Sequence, residues 1–184
     1  VLGNGRTVKL GEHAQPRLLE VDGAVIKMDE KRLEYREEKE VDRLVFNTLR
    51  IPRGGEYSIL LSDGTKVFLN AESEMNYPVV FAGGERKVVL KGEAFFEVAE
   101  DKARPFVVST GDFDVRVTGT QFNVRVYPDE TPTATLAEGS IRLLKGEHIT
   151  ALVPGEQARV GAESVEVRKV NCLLYTSPSP RDCS

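Results

Sequence analysis

The sequence predicts an all-β fold, either a sandwich or a barrel. Three observations predict it. Turn signals recur at short intervals: Asp63-Gly64, Gly83-Gly84, Gly92, Gly111, Gly119, Glu138-Gly139, Gly146, Pro154-Gly155 and Gly161. Between them lie short runs rich in Val, Phe, Leu, Ile and Thr. Where these runs are patterned, the apolar residues alternate with period two, as on a strand with one buried face.

Taken in order, Val1 to Leu10 reads as strand, Asn4-Gly5 turn, strand. Only two or three residues precede that turn, so the native protein is expected to continue upstream. Arg17 to Met28, with Asp22-Gly23 as its turn, predicts a second hairpin. Eleven of the fourteen residues from Glu30 to Arg43 are charged, and apolar residues occur there only at Leu33, Tyr35 and Val41. That composition predicts a solvated, mobile connector with a short strand around Leu33-Tyr35, not an interaction helix. Leu60 to Leu69 repeats the pattern of Val1 to Leu10, a hairpin with glycine in its turn, as hairpins commonly do. No fixed period extends it into a solenoid. Ile59-Leu60-Leu61 and Val88-Val89-Leu90 lack alternation, which suits strands covered on both faces or lying near a domain contact. Phe96 and Val98 share one parity, Phe95 and Glu97 the other. Phe113, Val115 and Val117 share one parity, and Phe122, Val124 and Val126 the opposite one. The phase slips at Gly119-Thr120, which predicts a bulge or tight turn there that lets both sets face one core.

The 184 residues suggest one domain with extra pieces. Hydrophobic residues make up 40%, enough for a globular core, and the net charge of -4 leaves no basic field for phosphate backbones. Nucleic acid is therefore not an expected partner. No run approaches about 18 apolar residues, and no secretory signal is visible.

Both cysteines, Cys172 and Cys183, fall in the last thirteen residues. A disulfide between them is rejected for a specific reason. From Cys172 to Asp182 the chain resembles the in-frame translation of a transposase-type sequencing adapter over eleven consecutive residues. Residues 172–184 are accordingly read as an artefactual tail and set aside. The remaining chain has no cysteine, so a redox compartment cannot be read from it. The native C-terminus is expected to be missing as well.

The search for chemistry names no catalytic, cofactor or metal residue. His13 and His148 stand alone, without the neighbouring ligands that a zinc or iron site needs, and read as a loop and a strand-edge residue. No GxSxG elbow and no GxxxxGK[ST] loop occurs. Glu93, Glu97, Glu100, Asp101, Glu138 and Glu156 supply carboxylates, but most sit beside glycines in turns, where a solvated surface is the default. A glycosidase would set two of them across a cleft lined with stacking aromatics, and this chain has no Trp.

Six motifs carry a family resemblance. They are Thr48 to Tyr57 leading into Leu61-Ser62-Asp63-Gly64-Thr65-Lys66-Val67-Phe68-Leu69; Tyr77-Pro78 with Lys91-Gly92-Glu93-Ala94-Phe95-Phe96-Glu97-Val98; Pro105-Phe106-Val107-Val108; Val117 to Val124; Leu136 to Ile141; and Leu152 to Ala158. In this order and spacing they resemble the periplasmic FecR domain, in the version common in anti-sigma regulators of Bacteroidetes-type bacteria, over about residues 45 to 160. The family usually has an aromatic or Trp where Phe68 stands. The motif residues look fold-specifying: glycines permit positive φ, an Asp caps its own turn, aromatics fill the core.

The resemblance narrows the fold to an antiparallel two-layer β-sandwich of jelly-roll type. It divides the chain into N-terminal periplasmic hairpins and connector (1–44), a FecR sandwich (45–161), the start of a linker to a missing C-terminal domain (162–171) and the tail. It implies a single-pass inner-membrane protein whose transmembrane helix and cytoplasmic part, which holds an extracytoplasmic-function (ECF) sigma factor, lie outside this chain. The implied partner in the periplasm is the signalling domain of a TonB-dependent outer-membrane transporter. Its binding would shift the regulator between states, with no enzymatic step and no cofactor. The strand edge expected to accept a partner is Val88 to Leu90, flanked by Lys87 and Lys91. The recognised surface itself is not identified by any motif. A carbohydrate-binding β-sandwich module is the competing reading, and an exposed aromatic platform would favour it.

Overall fold

The computed structural model describes Val1, the backbone of three strands between residues 17 and 37, and residues 45–170 in full. The Val1 to Leu10 hairpin, the Asp22-Gly23 turn, His13 and residues 172–184 lie outside these. Sixteen strands are described. They are β1 Arg17–Val21, β2 Ala24–Asp29, β3 Arg32–Glu37, β4 Phe46–Arg50, β5 Tyr57–Leu60, β6 Lys66–Leu69, β7 Glu74–Pro78 and β8 Arg86–Glu97. They continue as β9 Phe106–Ser109, β10 Asp114–Val117, β11 Gln121–Val126, β12 Thr133–Glu138, β13 Ile141–Lys145, β14 His148–Leu152, β15 Glu156–Val160 and β16 Val165–Lys169.

The strands form two ladders. One runs β1-β2-β3-β5-β6-β8-β11-β12-β15-β16; the other runs β4-β7-β8-β9-β10-β13-β14. The all-β class expected from the sequence is what the structure has, but its detail differs. The β3–β5 and β8–β9 pairings are parallel, so the ladders are mixed and not purely antiparallel. Strand β8 belongs to both ladders, which joins the layers into one sheet that is nearly closed, like a barrel. The hairpin expected from Arg17 to Met28 is β1–β2, with Val21 opposite Ala24. The strand expected around Leu33-Tyr35 is β3.

Strand β8 changes ladder at Gly92. Up to Lys91 it pairs with β7 and β9; from Gly92 onward it pairs with β11, and from Ala94 with β6. Gly92 has φ +89, and a Cβ there would lie 2.5 Å from Ser73 Oγ. Expected as a turn, this glycine is instead a joint within a twelve-residue strand. At the joint the backbone would lose partners, and a buried N–H or C=O must find another. The Glu93 N–H donates to Ser73 Oγ at 2.8 Å, and the Glu93 carbonyl accepts from Asn70 N at 3.0 Å and from Ser73 Oγ at 3.1 Å.

The core is one continuous cluster drawing on both ladders. Phe96, Phe106 and Phe122 are fully buried, each contributing about 1.5–3 kcal/mol of transfer free energy. Phe96 and Phe122 stack with centroids 5.1 Å apart. The phase slip at Gly119-Thr120 is where the chain crosses between ladders, from β10 to β11. Phe113, Val115, Val117, Phe122 and Val124 all reach the same core across it. Strand β8 reverses the expectation for Val88-Val89-Leu90. There Val88 and Leu90 are buried while Val89 is 39% exposed. The stretch covered on both faces is Gly92 to Phe96.

Candidate functional site

The strand edge expected at Val88 to Leu90 does not exist. Val89 and Leu90 pair with Asn76 and Met75 on one side, and Val88 and Val89 pair with Val108 and Ser109 on the other. Both neighbours are the adjacent strands in the chain, β7 and β9, but the β9 pairing is parallel, which no hairpin signal announces. Lys87 lies 3.7 Å from Asp114, so it is not an isolated docking charge. Lys91 stands opposite Glu74.

Five of the six carboxylates singled out behave as surface or turn groups. Glu97 pairs with Lys66 at 3.5 Å and Glu100 with Lys102 at 3.4 Å. Asp101 caps its own turn, accepting from Ala103 N and Arg104 N at 3.0 Å. Its hydrogen bond from the Arg104 side chain holds its carboxyl below the usual carboxylate range. Glu138 is exposed, and Glu156 accepts from Val153 N across the β14–β15 turn.

Glu93 departs from the solvated default: it is 5% exposed, in the middle of β8. Asn123 Nδ2 donates to its Oε1 at 2.9 Å and Asn70 Nδ2 to its Oε2 at 3.1 Å. Arg125 Nη1 stands 3.7 Å from the same Oε2. Arg125 in turn holds Glu130 through two hydrogen bonds, at 2.5 and 2.8 Å. That contact keeps the Glu130 carboxyl below its usual range and raises the Arg125 guanidinium. Burial pushes the Tyr127 phenol up, and its hydroxyl donates to Ala71 O at 2.8 Å. Farther along the same face, Thr135 Oγ1 accepts from Gln157, whose Oε1 accepts two bonds from Arg168. These bonds tie β8 to β11 and to the residue after β6, and separately tie β12, β15 and β16. Of the buried side-chain atoms in this row, Asn123 Oδ1 alone has no partner among the described residues.

A second buried polar centre went unmarked by any motif. Arg86 is 1% exposed and lies 2.7 Å from Asp63. Its Nε donates to Arg104 O at 2.8 Å and its Nη1 to Ala99 O at 3.0 Å, while the guanidinium lies 5.5 Å from the Phe106 ring centroid. Asp63 does cap its own turn, as its place before Gly64 suggested, accepting from Thr65 N and Thr65 Oγ1. The signal for Arg86 was partial: it shares parity with Val88 and Leu90, but Val89 is apolar too.

Among the described residues, no group of three His, Cys, Asp or Glu side chains could hold a metal ion. Among them, too, no helix is long and apolar enough to cross a membrane. His148 is the first residue of β14, which pairs only with β13 among the described strands, so it does lie on an edge. Of the exposed large apolar side chains, Ile149 on β14, Val153 just after it and Val167 on β16 lie at ladder ends, whereas Phe46 is on β4, where Thr48 bonds Val1, and Val89 lies inside β8. Apolar groups at unpaired strand margins suit contact with another chain.

The chain matches the FecR protein family over residues 47–142. Two crystal structures of a candidate anti-sigma factor from Parabacteroides distasonis ATCC 8503 are similar to it. The one at 2.50 Å resolution has a TM-score of 0.66 at 32% identity, covering 68% of this chain and 60% of that one. The one at 1.65 Å has a TM-score of 0.65 at 32% identity, covering 67% and 59%. This chain therefore spans about three fifths of the length of those relatives. No curated protein matches it.

Proposed function

Because this chain belongs to the FecR protein family, we propose that it is the periplasmic signal-relaying domain of a membrane-anchored anti-sigma regulator. In this reading it binds the signalling domain of a TonB-dependent outer-membrane transporter. Through a transmembrane helix and a cytoplasmic part outside this chain, it governs an ECF sigma factor. The observation that carries the reading is the family match across the β body, together with relatives described as candidate anti-sigma factors at 32% identity. The arrangement of side chains is consistent with it. Most of the buried polar groups are engaged in structural links, and several of the apolar side chains left in solvent lie at ladder ends. A relay of this kind works by differential affinity between two states.

The test is binding by calorimetry between this chain and the periplasmic signalling domain of the transporter encoded beside it, with a glycan array run in parallel. Saturable binding of the signalling domain and a blank array are expected. Glycan binding without signalling-domain binding would replace this reading with the carbohydrate-binding one. Phe95, an aromatic that a sugar platform could have used, is 8% exposed, which already weighs against that alternative.

A further inference from the structure

We infer that the outer edge of β14 is a docking site for an extended strand of a partner protein, one with apolar residues flanking an acidic residue. The inference rests on the protein-docking reading above and names the surface that carries it. Lys145 pairs with His148 across a two-residue turn, and Gly146 has φ +57, the first central position of a type II′ hairpin. In such a hairpin the pair flanking the turn is hydrogen-bonded, and bonded and non-bonded pairs then alternate. Thr150 and Leu152 therefore bond to β13, opposite Leu143 and Ile141. Ile149 and Ala151, opposite Leu144 and Arg142, turn their N–H and C=O outward. Among the described residues no strand occupies that side.

The same residues present side chains to solvent. Ile149 is 67% exposed, Val153 is 58% exposed, and Ala151 between them is also exposed. Soluble proteins usually blunt a strand edge with a lysine, a proline or an inward charge, and β14 carries none of these. Backbone groups and apolar side chains are thus offered in one register, which an added strand reads as hydrogen bonds plus alternate side-chain contacts.

Charge selects the occupant. Across the outer face, Arg116 of β10 stands directly opposite Arg142 of β13, and Arg142 directly opposite Ala151. Like charges directly opposite one another destabilise a sheet. Arg116 reaches Glu85 only at 3.9 Å, and among the described residues no carboxylate pairs with Arg142. The neighbouring Lys145 is engaged with the Gly161 and Ala162 carbonyls. Strands lie about 4.8 Å apart, so a residue paired with Ala151 sits two strands from Arg142. The one-carbon side chain of Ala151 leaves the way open for an Asp or Glu to meet the guanidinium. Pairing of β14 with the β14 of a second copy fits less well. From His148 to Leu152 there is no acid, and the adjoining Glu147 is held in the turn.

The test is an amide NMR titration of the whole chain with the peptide acetyl-Thr-Val-Thr-Asp-Thr-Val-Thr-amide, and with the same peptide carrying Lys in place of Asp. Saturable shifts centred on Ile149 and Ala151 are expected, with binding of the Lys peptide weaker by roughly fivefold. Arg142→Glu should invert the preference. Ala151→Pro should abolish the shifts while core resonances stay in place, because it removes an outward N–H and leaves the β13 bonds intact. Equal binding of the two peptides, shifts centred on β4 or β16, or self-association in sedimentation at the titration concentrations would overturn the assignment. Transporter signalling-domain binding that is equal for wild type and Ala151→Pro would also remove this edge while leaving the proposed function standing. A signalling domain that fails to bind wild type, with the peptide still binding at β14, would remove that function and keep the edge.

Discussion

Arg86 and Asp63 show how much a single pair can fix. The guanidinium joins the β5–β6 turn through Asp63, the loop after β8 through Ala99 O and Arg104 O, and the start of β8 on which it sits. Removing one member of a buried pair leaves the other charged and unsolvated, which costs about 3–5 kcal/mol. Arg86→Met should lower stability by that amount in urea or guanidinium unfolding. Asp63→Asn strands a buried guanidinium that cannot deprotonate, so it should cost at least as much alone. The double variant should be less damaged than the sum of the two, because the second change removes the stranded charge. Strict additivity in that cycle would show that the two side chains contribute independently. Arg86 shares parity with Val88 and Leu90, but Val89 is apolar too, so the sequence only partly marked which parity turns inward. The partner of Arg86 was not marked at all, because Asp63 meets it only through the fold. Glu93 was harder still. Its burial depends on Asn70 and Asn123, which reach it from β6 and β11 once those strands flank β8.

Strand β8 and its glycine carry the next prediction. Gly92→Ala must place a Cβ at positive φ and also within 2.9 Å of three Ser73 atoms. The backbone conformation alone costs about 1–3 kcal/mol. Gly111 has a similar φ of +95 with nothing within 4 Å of its Cβ position, so Gly111→Ala should show the backbone cost alone. The expected result is a distinctly larger fall in the unfolding midpoint for Gly92→Ala than for Gly111→Ala. Equal falls would mean that Ser73 yields without cost. The Arg125–Glu130 pair governs the β11–β12 connection and predicts a pH effect. The Arg125 hydrogen bonds hold the Glu130 carboxyl below its ordinary value of 4.5, so its contribution is present above pH 4.5 and is lost as pH falls through the lower folded value. The pair is partly exposed and screened, so the effect should stay under about 1 kcal/mol. Glu130→Gln should flatten the acid limb of the stability–pH curve and leave the region above pH 6 parallel to wild type. At this scale most turns were legible from Gly and Asp. Gly92 was misread because a turn and a joint inside a strand both demand positive φ. The Val88 to Leu90 edge was misread because the adjacent strands β7 and β9 cover both of its sides, one antiparallel and one parallel, and no motif in the chain states a strand's place in its ladder.

One strand running through both ladders constrains the whole molecule. The N-terminal half of β8 is paired with β7 and β9, and its C-terminal half with β6 and β11, around a single core. Neither ladder can open fully without losing half of β8 and exposing Phe96 and Phe106 together, which lie 6.1 Å apart. The body from β4 to β15 should therefore unfold in one cooperative step, although its strands divide between two ladders. Hydrogen exchange resolves the same point locally. Amides of Val88, Leu90, Ala94 and Phe96 should open only with global unfolding, while Ile149 and Ala151 on β14 should exchange at far lower protection. Because pairings that skip strands, such as β4–β7, β6–β8, β8–β11, β10–β13 and β12–β15, close the body, folding should also be slow for the size of the domain, in the millisecond-to-second range typical of such topologies. Two separated denaturation transitions, or a β8 whose two halves differ widely in protection, would show that Gly92 is a hinge between independent layers. In that case a partner strand on β14 would bias only the ladder it joins. With one cooperative unit, docking at that edge is felt through β13, β10 and β9 into β8, and from there into the opposite ladder. That is the route by which an event at one margin can alter the state of the whole domain.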